Sequence, residues 1–238
     1  MNIGILIVAT GKYDQFVWPL IHSLEENFLP GHVKNFFVFT DPGNIGTVCN
    51  GHFVDMNDQT SIHTIFVSKY DWPYSTALRY KMYVENEQYY KDMDYVFAMD
   101  ADMLVVGKVG DEILGDTVAV KHPGFYNKAI RKFTYEKNPK SKAFVTPGVG
   151  RLYYAGGLVG GSAVKFSQIA KTVHLNLQLD SAESIMAVWH DESHINHYFA
   201  YNPPAVILNP GYCWPEEKQC PFEKKIVALK KNHKELQK

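Results

Sequence analysis

The opening of the chain limits the fold more than any other feature. Residues 3–8 form a short apolar run rich in β-branched side chains and closed by Thr10-Gly11, which predicts a buried strand. Apolar side chains then recur at Phe16, Leu20, Leu24 and Phe28, a four-residue spacing that predicts a helix ending near Pro30-Gly31. A buried strand feeding an amphipathic helix is one βα unit, and the pattern repeats. Strands are expected at 36–40, stopped by Asp41-Pro42-Gly43, and at 64–67. Ser75 or Thr76 is expected to cap a helix through Leu78, Met82 and Tyr83 to about Lys91, leading into a strand at 95–99. Runs at 103–106 and 117–120 are read as continuing the sheet. Phe166, Ile169, Val173 and Leu177 mark a further amphipathic helix, and Ile195, Tyr198 and Phe199 a shorter one after Asp191. The expected class is α/β, with a mainly parallel central sheet flanked by helices and ligands beyond the carboxyl ends of its strands.

A chain of 238 residues fits one domain spanning 1–238 with a shared core. The formal charge of −1 offers no net basic excess to neutralise phosphates, so no nucleic-acid partner is expected. Cys49, Cys213 and Cys220 are too few and too irregular for a disulfide framework or zinc knuckle, which points to a reducing compartment. No apolar run reaches the roughly 20 residues that span a bilayer, and the first residues do not have the form of a signal peptide. A cytoplasmic protein is expected.

Three segments carry chemistry. Asp100-Ala101-Asp102 follows the strand at 95–99, and in extended backbone both carboxylates would point one way and offer hard oxygens to one Mg²⁺ or Mn²⁺. No phosphate-cradling or dinucleotide glycine motif occurs. Trp189-His190-Asp191-Glu192-Ser193-His194 gathers an indole, two imidazoles and two carboxylates, a set suited to stacking on a hexose and to stabilising an oxocarbenium-like carbon. A helix start capped by Asp191 with His190 packed against it, or a zinc hydrolase using His190 and His194, are the rival readings. Tyr153 to Ser162 combines two tyrosines with Gly156, Gly157, Gly160 and Gly161, either a pocket wall of small residues or simply a glycine-tolerant strand. His122-Pro123-Gly124-Phe125-Tyr126 reads as a turn. Lys224, Lys225, Lys230, Lys231, Lys234 and Lys238 read as a solvated helix or tail, with a lysine able to close on a diphosphate.

These segments, together with Val38-Phe39-Thr40-Asp41 and Phe133-Thr134-Tyr135-Glu136, resemble in order and spacing glycosyltransferase family 6, the family of the histo-blood-group A and B transferases and α1,3-galactosyltransferase. The resemblance implies a GT-A fold, with a Rossmann-like nucleotide-sugar half and an acceptor half. It implies retaining transfer of α-N-acetylgalactosamine or galactose from a UDP-sugar to the 3-hydroxyl of a galactose-type acceptor glycan, a fucosylated one included. It places Val8, Ala9 and Tyr13 at the uridine and Arg79 and Asp191 at the donor sugar. Asp100 and Asp102 hold Mn²⁺, Ala101 between them lies at the donor, and Glu192 stands beside the anomeric carbon. His122, Thr134 and Trp189 contact the acceptor, and Lys231 and His233 match the tail that folds over UDP. Ala155-Gly156-Gly157 reads the C2 substituent of the sugar, and Gly157 leaves room for an acetamido group, which favours UDP-N-acetylgalactosamine over UDP-galactose. Three departures matter. The membrane anchor and stem of mammalian members have no counterpart here, so a bare catalytic domain of bacterial or phage type is expected. The acidic pair is intact where many bacterial members carry asparagines. Pro215 stands where animal members place an acceptor-binding aspartate. A catalytically silent sugar-binding module is the remaining alternative.

Overall fold

The computed structural model describes residues 1–42, 54–57, 60–232 and 236. Strand β1 (Asn2–Val8) passes through a 3-10 turn (Gly11–Phe16) into helix α1 (Val17–Asn27) and then β2 (Val33–Thr40). Next come β3 (Val54–Asn57), β4 (Thr60–Phe66), α2 (Tyr74–Ala77), α3 (Arg79–Glu85), β5 (Tyr95–Asp100), β6 (Met103–Val105) and β7 (Thr117–Lys121). The chain ends with β8 (Tyr154–Ser162), α4 (Ala163–Ala182), α5 (His190–Tyr201), β9 (Val206–Leu208), β10 (Trp214–Pro215) and β11 (Ile226–Ala228).

Among the described residues, eight strands form one sheet in the order β3-β4-β2-β1-β5-β8-β7-β9. β4, β2, β1 and β5 run parallel, whereas β8 is antiparallel to both of its neighbours. The alternation expected of a pleated strand sorts β1 between two cores. Ile3, Ile5 and Ile7 pack on Val17, Leu20 and Leu24 of α1, while Leu6 faces Phe37, Tyr83 of α3 and Phe166 and Val173 of α4. Apolar burial on both faces explains why these strands read as near-continuous hydrophobic runs.

Several expectations change. Ser75 and Thr76 do not cap a helix: Pro73 precedes α2, no side chain caps it, and Leu78 interrupts the helix before Arg79 opens α3. The run at 103–106 does not continue the main sheet, because after Asp100 the chain turns through Ala101 and Asp102 into β6, which joins β11 and β10 in a separate three-stranded sheet. Lys224 and Lys225 accordingly flank β11 rather than belonging to a solvated tail; Lys225 Nζ donates to Lys108 O at 2.6 Å. Asp191 does not cap α5 but follows its first residue, and Trp189 holds the cap position. Cys49, His233, Lys234 and Lys238 lie outside the described residues.

Candidate active site

The carboxyl ends of β1 and β5 open onto a cavity of about 220 Å³ whose wall includes Val8, Tyr13, Arg79, Asp100 and Asp102. A second cavity of about 490 Å³ reaches towards His122, Gly156, Gly157 and Glu192. The two share Asp100, Asp102 and Lys231, so the acidic turn forms a wall common to both. The antiparallel run of β8 is what joins them. Leu158 pairs with Met99, which puts the first half of β8, Ala155 to Gly157, beside the end of β5.

The two aspartates reach the same cleft by a turn, not by the extended backbone predicted for them; only Asp100 belongs to β5. Arg79 pairs with both Asp100 and Asp191, while Lys231 pairs with Asp102 and lies 5.0 Å from the centroid of the Tyr13 ring. Burial, then the neighbouring Asp100, raise the Asp102 pKa against the pull of Lys231. Asp191 is fully buried, and burial raises its pKa although Arg79 works the other way. Burial opposes the Arg79 charge too, but Asp191 and Asp100 together outweigh it and raise the guanidinium pKa.

Glu192 sits between the cavity and the glycine segment, its Oε2 accepting the Gly156 N–H at 2.9 Å. Burial pushes its pKa up to about 7, and this hydrogen bond offsets only part of the effect. The Tyr153 hydroxyl is directed at Glu192 and at the Thr134 hydroxyl, yet neither hydroxyl closes a well-formed hydrogen bond. A Cβ on Gly156 would come within 3.3 Å of Glu192 Cβ and 3.4 Å of Arg79 Nη2, so glycine there allows α5 and Arg79 to approach the strand. His122 accepts the Gly124 N–H on Nδ1 at 2.9 Å, and burial lowers its pKa to about 4, leaving a neutral imidazole at physiological pH.

Other predicted residues are placed differently. Ala9 is fully buried in the core and lines neither cavity, with its N–H donating to Phe39 O and its carbonyl accepting from Thr40 Oγ1. Thr134 and the half-exposed Trp189 also stand outside both linings. His190 and His194 share no metal site. His194 is fully buried near Asp180, whereas His190 packs edge-on against Trp72, and among the described residues no group of three or more His, Cys, Asp or Glu converges on a metal position.

The sequence reading missed the residues that hold the site in place. Asn196, one turn beyond Glu192, grips both backbone groups of Tyr154 at 2.8 Å and so locks α5 to the start of β8. Glu136 accepts the Val188 N–H at 2.8 Å and those of Lys137 and Asn138 at 2.8 Å each, fixing the approach to α5. A buried asparagine four residues after a buried carboxylate shares its helix face, which was the one available signal.

The model for Glycosyltransferase family 6 matches residues 1–238. The chain belongs to glycosyltransferase family 6. It is 33% identical to the globoside alpha-1,3-N-acetylgalactosaminyltransferase 1 of Mus musculus over 98% of this chain and 67% of that protein. It is likewise 33% identical to the histo-blood group ABO system transferase 1 of Rattus norvegicus, over 99% of this chain and 68% of the relative. Against the O-antigen biosynthesis glycosyltransferase WbnI of Escherichia coli the identity is 27%, over 91% and 89%. The mostly parallel sheet flanked by helices is the GT-A-like architecture expected for such an enzyme, and family membership implies a nucleotide-sugar donor and a glycan acceptor. No helix among the described residues is long and apolar enough to cross a membrane.

Proposed function

We propose that this glycosyltransferase moves α-N-acetylgalactosamine from UDP-N-acetylgalactosamine to the 3-hydroxyl of a galactose-type glycan, with retention of configuration. The observation that carries this reading is the junction of the two cavities at Asp100, Asp102 and Lys231, with the Glu192 carboxylate on the wall of the larger one. The nucleotide is assigned to the smaller cavity, against Val8 and Tyr13, and the acceptor to the larger, near His122. Arg79 and Asp191 orient the donor sugar, and Lys231 offers its ammonium to the diphosphate. Glu192, as a carboxylate, faces the anomeric carbon either as nucleophile or as stabiliser of positive charge during same-face attack.

A divalent cation, Mn²⁺ or Mg²⁺, fits the donor set. Asp100 and Asp102 supply hard oxygens, and burial first, then the neighbouring Asp100, disfavour the Asp102 charge, a cost that a cation would relieve. Asp100 and Asp102 would hold it, and it would neutralise charge on the departing diphosphate. Transfer is expected to fall at least tenfold in EDTA and to return with Mn²⁺, while Asp100→Asn loses most of this rescue. Full activity of Asp100→Asn in EDTA would overturn the assignment.

Donor choice is placed at Gly157. A Cβ there would lie 3.2 Å from Asp100 Oδ2, 3.3 Å from Cys213 Sγ and 3.4 Å from Met103 Sδ, a tight but tolerable fit that fills space beside the sugar site. Gly157→Ala is expected to shift the ratio of kcat/KM towards UDP-galactose by about tenfold, the scale of one methyl group in a fitted pocket. Wild-type protein that turns over UDP-galactose faster at equal concentration contradicts the donor assignment. Slow UDP release from UDP-N-acetylgalactosamine with Mn²⁺ separates an enzyme from a silent sugar-binding module.

A further inference from the structure

The formal charge of −1 conceals a strong asymmetry. Residues 117–152 carry eight lysines and arginines against one carboxylate, Glu136. That carboxylate is buried and occupied by three backbone N–H groups, so it does not offset the surface charge. Lys128, Arg131, Lys132, Lys137, Lys140 and Lys142 are all exposed, and among the described residues none of their side chains forms an ion pair. Elsewhere the exposed lysines Lys171 and Lys230 do find carboxylates, at 2.7 and 2.8 Å. Self-repulsion within such a group is unfavourable without an anionic partner.

Apolar side chains accompany the charge. Ile130, 43% exposed, directly precedes Arg131 and Lys132 in a single 3-10 turn. The Val188 N–H bond to Glu136 brings Met186, Val188 and Trp189, also exposed, to the neighbourhood of Lys137. We infer that the 122–153 connection between β7 and β8, with the exposed apolar side chains beside it, docks this enzyme on an anionic lipid surface. Basic side chains meet lipid headgroups there while Ile130 and its neighbours enter the interfacial layer. A soluble polyanion would answer the charge but would leave the aliphatic groups in water, which is why lipid is favoured over nucleic acid or an acidic polysaccharide. The loop begins at His122 and Pro123 on the wall of the larger cavity, so docking would bring that opening near the surface.

The test is co-sedimentation of the full chain with vesicles of phosphatidylcholine alone and of phosphatidylcholine mixed with phosphatidylglycerol, at low and high salt. Binding is expected only to the anionic vesicles and is expected to weaken as salt screens it. The triple variant Arg131→Glu, Lys132→Glu, Lys137→Glu should bind about a hundredfold more weakly, and Ile130→Asp should also lose affinity, with thermal unfolding unchanged in both. Equal binding to neutral vesicles, undiminished binding by the triple variant, or retention on heparin or RNA without vesicle binding would each overturn the inference. These readings involve no donor, so they stand apart from any failure of the transferase assignment.

Discussion

Replacing Glu192 with glutamine is expected to lower transfer by about a thousandfold while making the protein more stable above pH 7. The opposed effects have one cause. In the proposed function Glu192 carries charge next to the anomeric carbon, in a place where burial pushes its pKa from 4.5 to about 7. That rise corresponds to about 3 kcal/mol of penalty for the buried carboxylate. A folded-state pKa above the unfolded value means that stability is greatest below about pH 4.5, declines between 4.5 and 7, and carries the full penalty above 7. Glutamine keeps an oxygen for the Gly156 N–H and has no charge to bury. Melting curves at pH 8 should therefore show the variant higher by roughly 5–10 °C, converging with wild type at pH 4. Wild-type transfer should fall as pH drops through about 7 because the carboxylate is the working form. An active glutamine variant would remove Glu192 from the chemistry. A melting difference independent of pH would remove the burial account.

The second large effect is expected at Arg79. Its guanidinium is the charged partner of Asp191, which is fully buried and whose Oδ1 has no hydrogen-bond partner. Arg79→Met leaves that carboxylate without a cation, which typically costs about 3–5 kcal/mol. The loss should ease at low pH, because protonation of Asp191 relieves it and burial already raises its pKa. Combining Arg79→Met with Asp191→Asn should recover most of the stability but none of the transfer, since the pair proposed to orient the sugar is gone. Denaturant titration of the single and double variants reads this directly. Equal stability of Arg79→Met and wild type would mean that the pair is solvated.

The β8 glycines show where local reading reached its limit. The segment Tyr153 to Ser162 is at once a pocket wall and a glycine-tolerant strand. It is a central strand, and Gly160 lies against Phe97 so closely that a Cβ would sit 2.2 Å from the ring. Its first half faces the cleft only because β8 runs antiparallel beside β5, a pairing set by contacts some 60 residues apart. Asp100 and Asp102 were found by sequence as a pair, but the turn that aims them was not, since β6 leaves for a sheet completed by β11 near the end of the chain.

Periodicity alone determined the βα opening, the apolar faces of α1 and α4 and the parallel core, because burial acts on side chains a few residues apart and leaves its mark in their spacing. Local clustering brought Asp100, Asp102, Asp191 and Glu192 forward as chemistry-bearing residues, since clustered charge beside apolar runs is costly without a task. Tertiary structure alone decided which groups meet. Arg79 bridges Asp100 and Asp191, Lys231 returns to Asp102, Asn196 clamps Tyr154, and Ala9 withdraws into the core. Such pairings depend on long-range packing and desolvation, and neither leaves a period in the sequence.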